Sequence, residues 1–280
     1  MSIFVLSAFG DEIAPELAEQ VAHLKSIGVN YLEFRSAWGK NVKDLDADEL
    51  ARARKICDDH QIAVSAIGSP VGKTPIHDLL ENEVAVLQHV FKACDALGTR
   101  RIRIFSFYPP MDCNPADFLA ESIERLSHLT SLAAREGCTL LLENDEELVG
   151  STIEMLYGIL SKINHPNLRY AWDGANFVRS GVSNPTSDGW EKLSPFIGTV
   201  HVKDARQDRS QRAAGDGDAQ ISDLFQKLHE TDYQGFLAIE PHPYHVDGRG
   251  ELRGAEGMTY AVEAARKLLA DLNLSDAPAL

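Results

Sequence analysis

The chain has 280 residues, 44% hydrophobic and 25% charged, the make-up of a globular protein with an ordinary core. Its formal net charge is −15 and no basic run offsets it, so a phosphate backbone would be repelled and nucleic acid is not an expected partner. No run approaches the ~20 apolar residues of a membrane span, the opening MSIFVLSAFGDEI lacks the basic stretch of a signal peptide, and Cys57, Cys94, Cys113 and Cys138 form no CxxC pair; a cytoplasmic protein with reduced thiols is expected.

Short apolar, β-branched runs alternate with amphipathic ones. IFVLSAF (3–9) precedes PELAEQVAHLKSIG (15–28), where Leu17, Val21 and Leu24 share a helix face and Gly28 is a stop. YLEFR (31–35) precedes a helical pattern at 46–60, IAVSAIG (62–68) one at 76–98, and RIRIFSF (101–107) one at 115–137. TLLLE (139–143) leads to a helix at 151–163, LRYAWD (168–173) to a shorter one near 187–195, IGTVHVK (197–203) to one at 219–231, and FLAIE (236–240) to a last one near 254–272. Eight strand–helix units in strict alternation predict a parallel sheet, and eight is the number that closes a (β/α)8 TIM barrel. A doubly wound open sheet is the competitor, but the first turn, SAFGDEI, has one glycine and no GxGxxG. No linker or low-complexity segment interrupts the pattern, so residues 1–280 read as one α/β TIM-barrel domain.

Four consecutive strands of the second half end alike. TLLLE closes on Glu143, LRYAWD on Asp173, IGTVH on His201 and FLAIE on Glu240, at spacings of 30, 28 and 39 residues, each about one βα unit. In a barrel these positions meet at the C-terminal rim, where active sites sit. Any one such carboxylate is as readily the N-cap of the next helix; four in consecutive units outweigh that reading. Clustered carboxylates repel one another, and a divalent cation removes the conflict. The oxygen-rich set favours Mn²⁺, with Mg²⁺, Co²⁺ or Zn²⁺ as alternatives.

These segments, LLLEND (140–145), WDGANF (172–177), VHVKD (200–204), AGDGD (214–218) and YQGFLAIEPH (233–242), resemble the xylose isomerase-like TIM-barrel superfamily of sugar isomerases and epimerases over nearly the whole chain. The resemblance implies one metal ion held by Glu143, Asp173, His201 and Glu240, with Glu143 and Glu240 handling protons on opposite sides of a sugar-like substrate. It implies a small-molecule carbohydrate as partner, and leaves a homo-oligomer open. In one place the chain departs from the family: where many members carry a histidine three residues after the metal aspartate, it has Asn176, an amide that cannot exchange a proton at neutral pH. The expected chemistry is removal of a proton beside a metal-polarised carbonyl to give an enediolate. Return to the other face is epimerisation, return to the neighbouring carbon is isomerisation, and loss of a β-hydroxyl would make the enzyme a dehydratase.

Substrate-contact candidates follow from position. Lys203 shares strand parity with His201 and has a salt bridge to a barrel carboxylate as its alternative role. Arg206 lies in the next loop, His242 two residues beyond Glu240, Glu33 and Arg35 at the end of strand two, Arg103 and Phe107 on one face of strand four, and Ser69 and Lys73 where strand three ends. Asp204, on the opposite parity, is expected to cap a loop or make an outer contact. A DNA-repair endonuclease of the same superfamily is disfavoured by the charge, and a non-catalytic barrel by the intact ligand set.

Overall fold

The computed structural model describes residues 3–277. Eight parallel strands form the barrel: β1 (Ile3–Phe9), β2 (Tyr31–Phe34), β3 (Ala63–Gly68), β4 (Arg101–Ile104), β5 (Thr139–Glu143), β6 (Leu168–Asp173), β7 (Ile197–Val202) and β8 (Gln234–Ile239). They pair in sequence order, and β8 returns to β1 with Val5 opposite Phe236 and Ser7 opposite Ala238, which closes the barrel. The helices α1 (Leu17–Ser26), α2 (Ala47–Asp59), α3 (Leu80–Leu97), α4 (Leu119–Arg135), α5 (Ile153–Ile163), α6 (Gly174–Arg179), α7 (Pro185–Leu193), α8 (Ile221–Glu230) and α9 (Gly254–Asp271) surround it. The single (β/α)8 TIM barrel expected from the alternation is the architecture observed. Among the described residues, no helix is long and apolar enough to cross a membrane.

Local signals set the helix ends. Asp46 and Glu49 form a reciprocal capping box at the start of α2, and Thr152 accepts from the Met155 N–H at the start of α5. Gly98, at φ 75°, closes α3.

Strand parity separates two environments. Ile102 and Ile104, Leu140 and Leu142, Tyr170 and Trp172, Val200 and Val202, and Leu237 and Ile239 all join the apolar layer between sheet and helices. Each such side chain, fully buried, is worth roughly 1.5–3 kcal/mol. Ala66, Leu141 and Ala171 form a separate cluster inside the barrel. The period of two therefore carries Glu143 and Asp173 to the inner side, two residues beyond Leu141 and Ala171.

The predicted strand 101–107 is corrected. Its ladder stops at Ile104, and the Phe105 and Phe107 N–H groups donate instead to the Val71 and Gly72 carbonyls, at 2.8 and 2.7 Å. Gly72 (φ 78°) permits this approach, because a Cβ there would lie 2.1 Å from the Phe105 oxygen. Phe107, at φ 72°, turns into the outer core under the Arg125 guanidinium, so it does not share a face with Arg103. The sequence pattern also did not anticipate α6, the hairpins of Ser36–Ala37 with Lys40–Asn41, Asp204–Ala205 with Gln211–Arg212, and Tyr244–Val246 with Gly250–Leu252, or the strand Asp276–Ala277 beside β1.

Candidate active site

Glu143, Asp173, His201 and Glu240 converge at the C-terminal end of the barrel, all buried, with one ligand atom from each lying within 4.8 Å of the others. Their supports come from neighbouring strands. The Asp173 Oδ1 caps α6 by accepting from the Asn176 N–H at 2.8 Å, which leaves Oδ2 facing the cluster. Asn144 braces the end of β6: its Oδ1 accepts from the Tyr170 hydroxyl and the Asp173 N–H, and its Nδ2 donates to the Asp173 carbonyl. The Asn176 Nδ2 donates to Glu143 Oε1 at 3.2 Å and to the Asn144 carbonyl at 2.9 Å. His201 Nδ1 lies 3.3 Å from Glu143 Oε1 and 3.8 Å from Glu240 Oε2, while Nε2 lies 3.4 Å from Glu33 Oε1. Glu33 thus stands behind the imidazole, where a carboxylate can fix ring tautomer and orientation.

Lys203 Nζ sits among the carboxylates, 2.9 Å from Asp173 Oδ2, 3.1 Å from Glu240 Oε2 and 4.0 Å from Glu143 Oε1. Arg35 completes the hold on Glu240 at 2.8 Å and also pairs with Asp11 and Glu12. These charges set the protonation states. Burial raises the Glu143 carboxyl, but His201 and Arg103 outweigh it and hold it at about 2. Burial likewise opposes ionisation of Glu240, yet Lys203, His242 and Arg35 keep it well below the ordinary range. At Asp173 burial wins over the nearby ammonium and pushes the carboxyl up to about 7. Lys203 and His201, despite burial, are raised by the carboxylates facing them.

The donor set suits a divalent cation. Both imidazole nitrogens of His201 are buried and make no hydrogen bond, while Asp173 Oδ2 has the Lys203 ammonium at 2.9 Å as its partner. Such orphaned atoms are uncommon in a folded interior and point to a missing partner. Three carboxylates and one imidazole provide hard ligands of the kind Mg²⁺, Mn²⁺ or Zn²⁺ accept. A cation in this position would have to share the carboxylates with the Lys203 ammonium.

A cavity of about 400 Å³ opens above the cluster and is lined by Glu143, Glu240, Asn176, Lys203, Arg103 and His242 among others, a size that suits a small-molecule ligand. Two of the expected contact residues lie elsewhere. Glu33 is enclosed behind His201 and does not line the cavity. Arg206 stands in the following loop, half-exposed, 3.6 Å from Asp247, with its Nε donating to the Asp216 carbonyl. His242 reaches Glu12 at 2.9 Å and Glu240 at 3.7 Å. The Ser69 hydroxyl donates to the Arg103 carbonyl, and Lys73 pairs with Asp145.

Asp204 turns away from the cavity. Its carboxylate accepts from the N–H groups of Ala205, Gly215, Gly217 and Ala219. A Cβ on Gly217 would come within 2.3 Å of Asp204 Oδ1, so the glycine of GDGD is what lets the loop wrap the carboxylate.

Residues 21–269 match the family model described as xylose isomerase-like TIM barrel. The chain belongs to this family. A Mus musculus protein named "Putative hydroxypyruvate isomerase" is 30% identical over 159 residues, which cover 53% of this chain and 56% of that protein. A Homo sapiens protein of the same name is 27% identical over 56% of this chain and 59% of its own length. The chain thus spans a little over half the length of the curated relatives it matches. Among solved structures, a D-tagatose 3-epimerase-like protein superimposes with a TM-score of 0.76 at 18% identity, covering 97% of this chain and 98% of that one. The Bacillus anthracis structure described as the probable 3-DHS dehydratase AsbF gives 0.71 at 17% identity over 96% and 99%, and an IOLI protein with a bound zinc atom gives 0.73 at 18% over 96% and 97%. At these identities the structures share the fold.

Within this xylose isomerase-like barrel, several residues at the site escape a strand-end reading of the sequence. Asp11 and Glu12, in the turn after β1, both bind Arg35. Glu146 joins Arg179 and Arg209, tying the loop after β5 to α6 and the loop after β7. Asn144 immediately follows Glu143 in LLLEND, and its place in that motif is the signal that could have marked it.

Proposed function

We propose that the protein is a divalent-metal-dependent isomerase or epimerase of a sugar-like α-hydroxycarbonyl compound. The observation that carries this reading is the buried convergence of Glu143, Asp173, His201 and Glu240, with both imidazole nitrogens of His201 left without hydrogen-bond partners. These four residues would hold the ion, Mn²⁺ by preference. Bound there, it would polarise the substrate carbonyl and acidify the adjacent carbon. Proton movement falls to the two glutamates. Both are ionised near neutral pH, because His201 and Arg103 hold Glu143 down and Lys203 and Arg35 hold Glu240 down, so either can accept a proton. Lys203, between them, is placed to meet the negative charge of an enediolate. Asn176 orients Glu143 through its amide and takes no part in proton exchange.

The names of the curated relatives favour isomerisation over dehydration, and a first deprotonation is common to both. The test is wash-in of solvent deuterium beside the carbonyl, with the Mn²⁺-loaded protein offered ketoses, keto-sugars, inososes and hydroxypyruvate. Glu143→Gln and Glu240→Gln are each expected to lower exchange by about 10²–10⁴-fold; full exchange in both variants on a true substrate would overturn the assignment.

A further inference from the structure

Five Lys and Arg side chains line the cavity among the described residues: Arg35, Lys73, Arg103, Arg179 and Lys203. Four of them donate to carboxylates, Arg35 to three, Lys73 to Asp145, Arg179 to Glu146 and Lys203 to Glu240. Arg103 differs. Its side chain is 5% exposed, its Nε has no hydrogen-bond partner, and Glu143 Oε2, 3.4 Å away, is the carboxylate paired with it. A buried donor without a hydrogen bond, such as this Nε, costs free energy, and the guanidinium it belongs to lines the open cavity where a ligand can reach it.

Its surroundings keep it ready for such a ligand. The guanidinium lies 4.3 Å from the Phe105 ring centroid, and both it and Arg35 lie over the Phe9 ring, at 5.8 and 4.9 Å. Gly68 lines the cavity between the two arginines: a Cβ there would fall 3.1 Å from Arg103 Nη2 and 3.1 Å from Arg35 Cβ. The planar fork of an arginine matches a carboxylate in two parallel hydrogen bonds. Because Arg103 touches Glu143, whatever it binds stands beside the reacting carbons and not at the far end of a long substrate.

We propose that Arg103 binds a carboxylate attached next to the reacting carbonyl, so that the substrates are small 2-keto-3-hydroxy acids and not neutral sugars. The inference rests on reading the four-residue centre as an isomerase site, and its tests separate the two. Hydroxypyruvate and 1,3-dihydroxyacetone differ only in a carboxylate against a hydroxymethyl group. With Mn²⁺-loaded enzyme, deuterium wash-in should favour hydroxypyruvate. Arg103→Gln should reduce the ratio of the two kcat/KM values by about 10-fold or more, and Arg103→Lys by less. A ratio unmoved by Arg103→Gln overturns the proposal and leaves Arg103 as a support for Glu143. Binding gives a readout independent of turnover: calorimetric titration with D-glycerate and with glycerol. Wild-type preference for D-glycerate, reduced in Arg103→Gln and in Gly68→Ala, supports the proposal even if no compound exchanges, an outcome that would sink the isomerase reading alone. Absence of that preference, or tighter binding of sn-glycerol 3-phosphate than of D-glycerate, overturns it.

Discussion

The two halves of the barrel rim carry opposite chemistry. Strands β5 to β8 deliver Glu143, Asp173, His201 and Glu240 to one buried cluster. The ends of β2, β3 and β4 deliver Arg35, Gly68 and Arg103, with Glu33 turned inward behind the imidazole. Among the ion pairs that join the halves, Arg35 meets Glu240 at 2.8 Å and Arg103 meets Glu143 at 3.4 Å. Each proton-handling candidate is thus flanked by a guanidinium from the other half. Under the proposed function one half would hold the cation and the other recognise the substrate, and substitutions on either side should fail differently.

The largest effect is expected on the half that carries the four-residue cluster. Asp173→Asn keeps the α6 cap acceptor but removes a charged oxygen from the cluster, and calorimetry with Mn²⁺ after chelator treatment should show a loss beyond the 10–100-fold typical of outer-shell changes. Gly68→Ala, on the arginine side, should leave Mn²⁺ affinity within a few-fold. Equal losses in both would erase the distinction between the halves.

Lys203 comes next, because it shares the carboxylates with any cation. Without a cation, Lys203→Met leaves Asp173 and Glu240 short of a buried partner at 2.9 and 3.1 Å. Urea unfolding of the chelator-treated protein should show a loss of about 3–5 kcal/mol. Saturating Mn²⁺ should recover much of it, since a ligand that binds only the folded state stabilises in proportion to ln(1 + [L]/Kd). A cation-free variant as stable as the wild type would mean that the ammonium contributes nothing to holding the cluster.

Asp204 tests the loop after β7, which Asp204 anchors without itself lining the cavity. Asp204→Ala removes the acceptor of four backbone N–H groups in a buried turn. A loss of about 2–3 kcal/mol in unfolding free energy is expected, with Mn²⁺ affinity nearly unchanged. A large fall in affinity at unchanged stability would instead make Asp204 an outer partner of the metal site.

The two halves also differ in how far they can be read from sequence. Polar residues closing strands stand out in the second half, because a carboxylate or imidazole inside a β-branched run has no place in a core without a partner. The barrel itself was legible from the alternation of periods. In the first half the signal fades. Arg35 and Arg103 are ordinary residues for a strand end, and whether one is committed depends on Asp11, Glu12 and Glu143, which only the closed barrel brings near. Glu33 reads as a cavity residue from its place at a strand end, but it stands 3.4 Å behind His201 Nε2, next to a register shift between Leu32 and Glu33 in the β2–β3 pairing that the sequence does not show. Phe107 failed for a local reason, since its N–H found Gly72 in place of the next strand. Asp204 was placed on the outer face correctly by parity, but its four donors come from a loop more than ten residues downstream as well as its neighbour.

The smallest effect concerns Asn176. Asn176 stands three residues after Asp173, and its side chain is held by two acceptors, Glu143 Oε1 and the Asn144 carbonyl. Its side chain touches the four-residue cluster through Glu143 alone, while its backbone N–H caps Asp173, so truncation changes the direction of one carboxylate and not the number of candidate ligands. Asn176→Ala should therefore weaken Mn²⁺ binding by about 10-fold, the lower end of the range for residues that orient a metal ligand. Asn176→His can restore a donor to Glu143 and adds a group that titrates near neutral pH. If the amide's role is orientation, the histidine variant should regain Mn²⁺ affinity above pH 7, where its ring is neutral, and lose it below pH 6, where a second positive charge faces the cation. Affinity that is flat with pH in the histidine variant, against a wild type measured over the same range, would place residue 176 outside the field of the metal site.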